Sequence, residues 1–172
     1  MIRFGLCCKF LHELIQFRTT TATALLKLER KAALEKLSHL CLQNAVTLEK
    51  ALQYCAEHHI GDFRVNSQIL PVKTHPQVGY DIHELPRSTE IINQFKASRA
   101  YAEKNNLRIT FHPDQFVVLN SPHPDVVLRS IAELEYQAEV ATWIGAEVIN
   151  IHRNNSRNNR VKSLFLTAVS LH

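Results

Sequence analysis

Four short segments of this chain alternate apolar and polar residues, with helical stretches between them, and that combination leaves few folds open. In each segment one parity is apolar: Ile2, Phe4 and Leu6; Phe63 and Val65; Leu107, Ile109 and Phe111; Ile149 and Ile151. The other parity carries Arg3 and Gly5; Arg64 and Asn66; Arg108, Thr110 and His112; Asn150 and His152. Strand, helix, strand at this rhythm predicts right-handed crossovers and a parallel sheet. A parallel strand buried on both faces reads as apolar throughout, and these do not. An open doubly wound sheet usually has a glycine-rich first turn for phosphate, whereas Cys7, Cys8, Lys9 and Phe10 follow the first strand here. A (β/α) barrel with a polar lumen meets both demands, the apolar set facing helices and the polar set facing inward. The competing reading leaves Arg3 and Arg108 as charges at strand edges.

The helices between the strands are legible from their spacing. Over residues 29–58, Leu34, Leu37, Cys41, Ala45, Leu48, Leu52 and Cys55 step by three or four along one face. Gly61 then breaks the chain. Ser88 is the expected N-cap of a second helix to about residue 105, burying Ile91, Ile92, Phe95 and Tyr101. Pro124 and Asp125 open a third, burying Val127, Leu128, Ile131, Leu134, Ala138 and Ala141, with Gly145 as its C-terminal stop. The strands are expected over residues 2–6, 62–66, 107–112 and 147–152.

Composition removes several function classes. With 45% hydrophobic and 21% charged residues the chain is of ordinary globular make-up. It has no apolar run long enough to span a membrane and no basic leader followed by an apolar stretch, so a soluble cytoplasmic protein is expected. The net charge of +4 suggests a nucleic-acid partner, but acidic and basic residues balance over residues 1–152. The excess is Arg153, Arg157, Arg160 and Lys162, so a basic balance says little about partners. Cys7, Cys8, Cys41 and Cys55 form no C-x-x-C pair and read as buried or bystander thiols in a reducing compartment.

Chemistry gathers at the ends of the strands. His112 ends the third and His152 the fourth, both on the polar parity, and neighbouring parallel strands lie about 4.8 Å apart. In barrels the carboxyl ends of the strands carry the active site. His75, in the loop after the second strand, is placed to reach the same face. Three imidazoles suit zinc, manganese or iron, and each is equally at home as a structural residue. His12, His39, His58, His59, His83, His123 and His172 fall in helices or exposed loops and read as solvated. Just past His112, Gln115 and Phe116 pair an amide with an aromatic, a combination that bonds a base edge or stacks on it. Arg64 and Asn66 offer donors suited to phosphate oxygens or to a structural network.

These residues resemble the UV damage endonuclease family. The resemblance rests on Met-Ile-Arg-Phe-Gly-Leu at residues 1–6, Phe-Arg-Val-Asn-Ser at 63–67 and Leu-Pro-Val-Lys-Thr-His-Pro at 70–76. It continues with Thr-Phe-His-Pro-Asp-Gln-Phe at 110–116 and Val-Ile-Asn-Ile-His at 148–152, in family order. It implies a TIM-like barrel that nicks damaged double-stranded DNA 5′ to a lesion such as a pyrimidine dimer. It also implies a cluster of divalent metals, manganese as a rule or zinc, with no organic cofactor. By resemblance His75, His112 and His152 are metal ligands, and Gln115 and Phe116 probe the damaged site from the undamaged side.

The chain departs from the family in two ways. The remaining family ligands, carboxylates and histidines on strands five to eight, are expected beyond residue 172, so residues 1–152 read as the amino-terminal half of the barrel. Family glycines after the fourth-strand histidine are replaced by a basic, asparagine-rich stretch and then an apolar one, so residues 153–172 read as a divergent, truncated or frame-disrupted tail. The expectation is an inactive four-unit half barrel whose open sheet edges invite self-association. The alternatives are an abasic-site endonuclease or sugar isomerase on a related metal-dependent barrel, or a non-catalytic module binding DNA or protein.

Overall fold

The alternating segments become four strands, β1 (Gly5–Cys7), β2 (Asp62–Val65), β3 (Arg108–Phe111) and β4 (Val148–Ile149), joined in that order and all parallel. The structure is a computed structural model and describes residues 3–114 and 116–151. Between the strands lie α1 (Ala22–Leu26), α2 (Arg30–Glu57), α3 (Ser88–Lys104) and α4 (Pro124–Ile144), with a 3-10 turn at Ile82–Glu84. Among the described residues this is a TIM-barrel-like α/β arrangement of four parallel strands joined by three helical crossovers, and the sheet does not close. Among the described residues no helix is long and apolar enough to cross a membrane.

Register decides which residues share a face. Leu6 pairs with Phe63, Phe63 with Ile109, and Phe111 with Ile149. Phe63, Val65, Ile109 and Phe111 are buried against the helices, where they join Leu37, Leu48 and Leu52 of α2 and Phe95 of α3. Each such side chain contributes about 1.5–3 kcal/mol through the area removed from water. The opposite face is polar, as the alternation predicts. Arg3, Asp62, Arg64, Arg108, Thr110 and Asn150 line an open cleft of about 650 Å³ there.

The strands are shorter than the alternating segments because pairing needs a neighbour at each rung. Backbone bonds nevertheless run past the strand ends: Gly61 N–H donates to the Phe4 carbonyl at 3.0 Å, Glu147 to Ile109 at 3.1 Å and Asn150 to Phe111 at 2.9 Å. Ile2 and His152 lie outside the described residues.

The signals flanking α4 hold. Pro124 opens it, and Gly145, at φ +70°, ends it in the left-handed conformation that glycine tolerates best. α3 starts at Ser88 itself, so Ser88 is not the cap. Arg87 takes that position, its amide donating to Ser38 Oγ of α2 at 3.2 Å. α1 escapes a periodicity reading because five residues are too few, although Thr21 caps it by accepting from the Ala24 amide at 3.2 Å.

The buried face of α4 differs from the apolar stripe read in the sequence. Ser130, Tyr136, Gln137, Val140, Ala141 and Ile144 are buried, while Leu128 is 67% and Ile131 40% exposed. The helix turns hydroxyl and amide groups toward the loops it braces, and its apolar flank is left without cover among the described residues. Phe4, expected against the helices, is 82% exposed just before edge strand β1, likewise without cover among the described residues.

Candidate functional site

Two loops leave the carboxyl end of the sheet, and α4 braces both. The first, residues 66–80, follows β2. The Tyr136 hydroxyl donates to the Ser67 carbonyl and accepts from the Leu70 amide, both at 3.1 Å. Burial pushes that hydroxyl far above the ordinary tyrosine range. Thr74 Oγ1 donates to Glu133 at 2.7 Å. The second loop, residues 112–123, follows β3 and is held where Ser130 Oγ accepts from the Val118 amide at 2.8 Å. Between the loops lies an open groove of about 1210 Å³ lined by residues that include Thr74, His75, Asp114, Phe116 and Glu133.

His112 lies on the polar parity, one residue past Phe111, and is half-buried. Its Nδ1 stands 3.0 Å from the Pro113 carbonyl, which can only accept. The ring therefore carries a proton on Nδ1. His75 shows the reverse. Its Nδ1 accepts from the amides of Gln77 at 3.2 Å and Val78 at 3.4 Å, which puts the proton of the neutral ring on Nε2.

Phe116 is 75% exposed, and its amide donates to Asp114 Oδ1 at 3.2 Å, so a short turn presents the ring to solvent. Gln115 and His152 lie outside the described residues. Arg64 and Asn66 are not brought into the groove. Arg64 lies on the polar face of the sheet and donates to Cys7 Sγ at 2.9 Å. Asn66 spends its Oδ1 on the Gln68 amide at 2.8 Å.

The polar face holds a group the alternation places but that was not singled out as functional. Asp62 pairs in register with Gly5 and Arg108, and its buried Oδ1 has no partner among the described residues. Burial raises its carboxyl above the ordinary aspartate range, partly opposed by Arg108 and by a hydrogen bond from Thr110. Arg108 Nε lies 3.1 Å from Glu147 Oε2, close enough to be an ion pair but not aligned as a hydrogen bond.

The model of the UV-endonuclease UvdE family matches residues 2–164. The chain belongs to this family. The UV DNA damage endonuclease of Bacillus cereus (strain B4264) is 30% identical over 169 residues, covering 95% of this chain and 52% of that protein. That of Bacillus mycoides (strain KBAB4) is 29% identical over 150 residues, covering 86% and 46%. The crystal structure of SacUVDE superposes with a TM-score of 0.74 at 26% identity, over 91% of this chain and 51% of that one. The chain thus spans about half the length of the curated relatives it matches.

UvdE proteins are endonucleases, and a divalent metal is the cofactor the family implies, so the donors present must be tested for fit. Among the described residues no group of three or more His, Cys, Asp or Glu side chains stands close enough to hold a metal ion. His112 fits as a single donor, since its Nδ1–H is anchored on a carbonyl as the outer proton of a ligating imidazole usually is. At His75 the amides of Gln77 and Val78 occupy Nδ1, which leaves Nε2 as the nitrogen open toward the groove. Sequence reasoning also missed the bracing residues Glu133 and Tyr136. Such bonds carry no periodic signal.

Proposed function

We propose that this chain supplies the amino-terminal half of a barrel that nicks damaged double-stranded DNA 5′ to ultraviolet lesions. Residues 1–152 form that half and residues 153–172 a divergent tail. The observation that carries the reading is the juxtaposition of a carbonyl-anchored His112 with an exposed Phe116 at one end of a parallel sheet. In this family the same stretch is read as metal ligand followed by lesion probe.

In this reading His75, His112 and His152 contribute imidazoles to a divalent-metal centre, manganese being the expected ion. When bound, such a metal supplies hydroxide near neutral pH and stabilises charge on phosphoryl oxygens. The chain's own groups recognise damage. A pyrimidine dimer stacks and pairs poorly, so extruding it costs less than extruding a normal base. Phe116 and Gln115, on a turn held by Asp114, are placed to fill the vacated space.

Fluorescence anisotropy with two duplexes of one sequence, with and without a single cyclobutane dimer, tests the reading. The expected result is tighter binding to the damaged duplex and loss of that preference in Phe116→Ala, with folding unchanged. Equal binding of both duplexes by the wild-type chain overturns it.

A further inference from the structure

We propose that Glu133 is a positioning residue for the metal end of the groove: its carboxylate, held by the buried Gln137, takes the Thr74 hydroxyl and so fixes where the neighbouring His75 presents its ring. The inference rests on the metal-centre reading above and adds to it a residue that no ligand pattern marks.

Glu133 stands out first by its charge. Every phosphate of a DNA strand is an anion, so a carboxylate lining the groove opposes binding unless it serves another purpose. Among the described residues no lysine or arginine pairs with it. Neutral donors take its two oxygens instead. Oε2 accepts from Thr74 Oγ1 at 2.7 Å and Oε1 from Gln137 Nε2 at 3.3 Å. An ionised carboxylate only accepts, so the direction of both bonds is fixed. Gln137 is fully buried one turn further along α4, and it ties the carboxylate to the packed face of the helix.

The loop shows what the Thr74 bond does. Tyr136 holds the loop's root at Ser67 and Leu70, and Lys73 Nζ closes its far side on the Tyr80 carbonyl at 2.8 Å. Between these ties the chain passes through Val72 at φ +51°, a left-handed conformation costly for a β-branched residue. Thr74 follows two residues on, and among the described residues its bond to Glu133 is the tie to α4 nearest His75. Past it, the His75 amide donates to the Val72 carbonyl at 3.0 Å, and the amides of Gln77 and Val78 hold Nδ1. Those bonds fix the ring relative to its own turn. The Thr74 bond fixes that turn relative to α4, the helix whose Ser130 holds the loop that begins at His112. Glu133 thereby sets how the two histidines face each other across the groove.

Mn²⁺ broadening of ¹⁵N-histidine ring signals in the 172-residue protein tests this, with His112 as the internal reference. In the wild type both rings are expected to broaden at substoichiometric Mn²⁺. Thr74→Val and Glu133→Ala each remove one side of the bond. Each is expected to raise the Mn²⁺ needed to half-broaden His75 about three- to tenfold, the worth of one hydrogen bond. His112 should be unaffected and the thermal midpoint little changed, the bond being exposed. The double variant should be no worse than either single one. Thr74→Ser restores the hydroxyl and Glu133→Gln the acceptor, and both should behave as wild type. In Glu133→Gln the Gln137 amide can turn to present Oε1, which is buried without a partner among the described residues. Thr74→Val keeps the carboxylate, so an effect confined to Glu133→Ala means direct attraction of the ion and overturns the positioning role. A His75 response unchanged in both variants, or moving in step with His112 and the midpoint, overturns it too and leaves the metal reading intact. A wild-type protein in which His75 stays sharp overturns both.

Discussion

The hydroxyl of Tyr136 joins Ser67 and Leu70, donating to the carbonyl of one and accepting from the amide of the other at 3.1 Å, so that one side chain of α4 fixes the root of the loop that carries His75. Tyr136→Phe keeps the ring and leaves the buried Leu70 amide and the half-buried Ser67 carbonyl without this partner. The expected loss is about 1–3 kcal/mol in chemical denaturation. Faster amide exchange should be confined to residues 67–80. An unchanged midpoint would mean that the loop is held by its own turn alone.

The parity of the strands was legible because it is local: residues two apart share a face, and a parallel sheet with helices on one side and polar groups on the other follows. Pro124 and Gly145 were legible for the same reason, each acting on its own φ. What stayed hidden links distant residues. Asn44 of α2 is buried because it accepts from the Arg18 amide at 2.6 Å and donates to the carbonyls of Arg18 at 2.9 Å and Ile69 at 2.8 Å. Nothing in a helical pattern marks such a residue. The stripe at Leu128 and Ile131 reads as core by spacing alone, yet α4 turns Ser130 and Tyr136 inward because the loops need their hydroxyls. Which nitrogen of His75 or His112 carries the proton is set by one neighbouring carbonyl or two amides, and residue types do not encode that.

Asp62 gives a test of the polar face by pH. Its carboxyl is raised mainly by burial, so the folded state binds the proton more tightly than the unfolded chain does. Its contribution therefore favours folding at low pH and is lost as pH rises through the folded-state value. Asp62→Asn removes the ionised group. It should raise the thermal midpoint at pH 7 by about 2 °C, a modest figure because the side chain is only half-buried. The advantage should shrink toward zero as the pH is lowered through the carboxylate range. A variant less stable than wild type at pH 7 would show that the Arg108 and Thr110 interactions outweigh burial.

The cysteines should divide by environment. Burial pushes the Cys41 thiol up to about 12, against a Tyr80 hydroxyl 3.1 Å away, and the Cys55 thiol up to about 11. Neither offers thiolate at neutral pH. Cys7 is exposed and Cys8 half-buried, its thiol also raised by burial. Brief alkylation of the native protein followed by mass spectrometry should label Cys7 first and Cys8 more slowly. Cys41 and Cys55 should react only after denaturation. Early labelling of Cys41 would mean that α2 opens from the β2 loop on the timescale of the reaction.

Incision makes demands that the imidazoles do not meet by themselves. Hydrolysis of a phosphodiester gathers negative charge on the phosphoryl oxygens, and the metals that offset it are held by ligand sets in which carboxylates balance the cations. A histidine ligand brings no negative charge of its own, and among the described residues no acidic group joins His112 in a cluster able to hold an ion. The 172-residue polypeptide is therefore expected to leave ultraviolet-irradiated supercoiled plasmid closed in the presence of Mn²⁺, under conditions where a full-length relative relaxes it. Agarose gels separate the two forms directly. Relaxation by the wild-type chain that disappears in His112→Ala would show that these residues assemble a working centre, with a second copy supplying the missing donors through the open edges of β1 and β4.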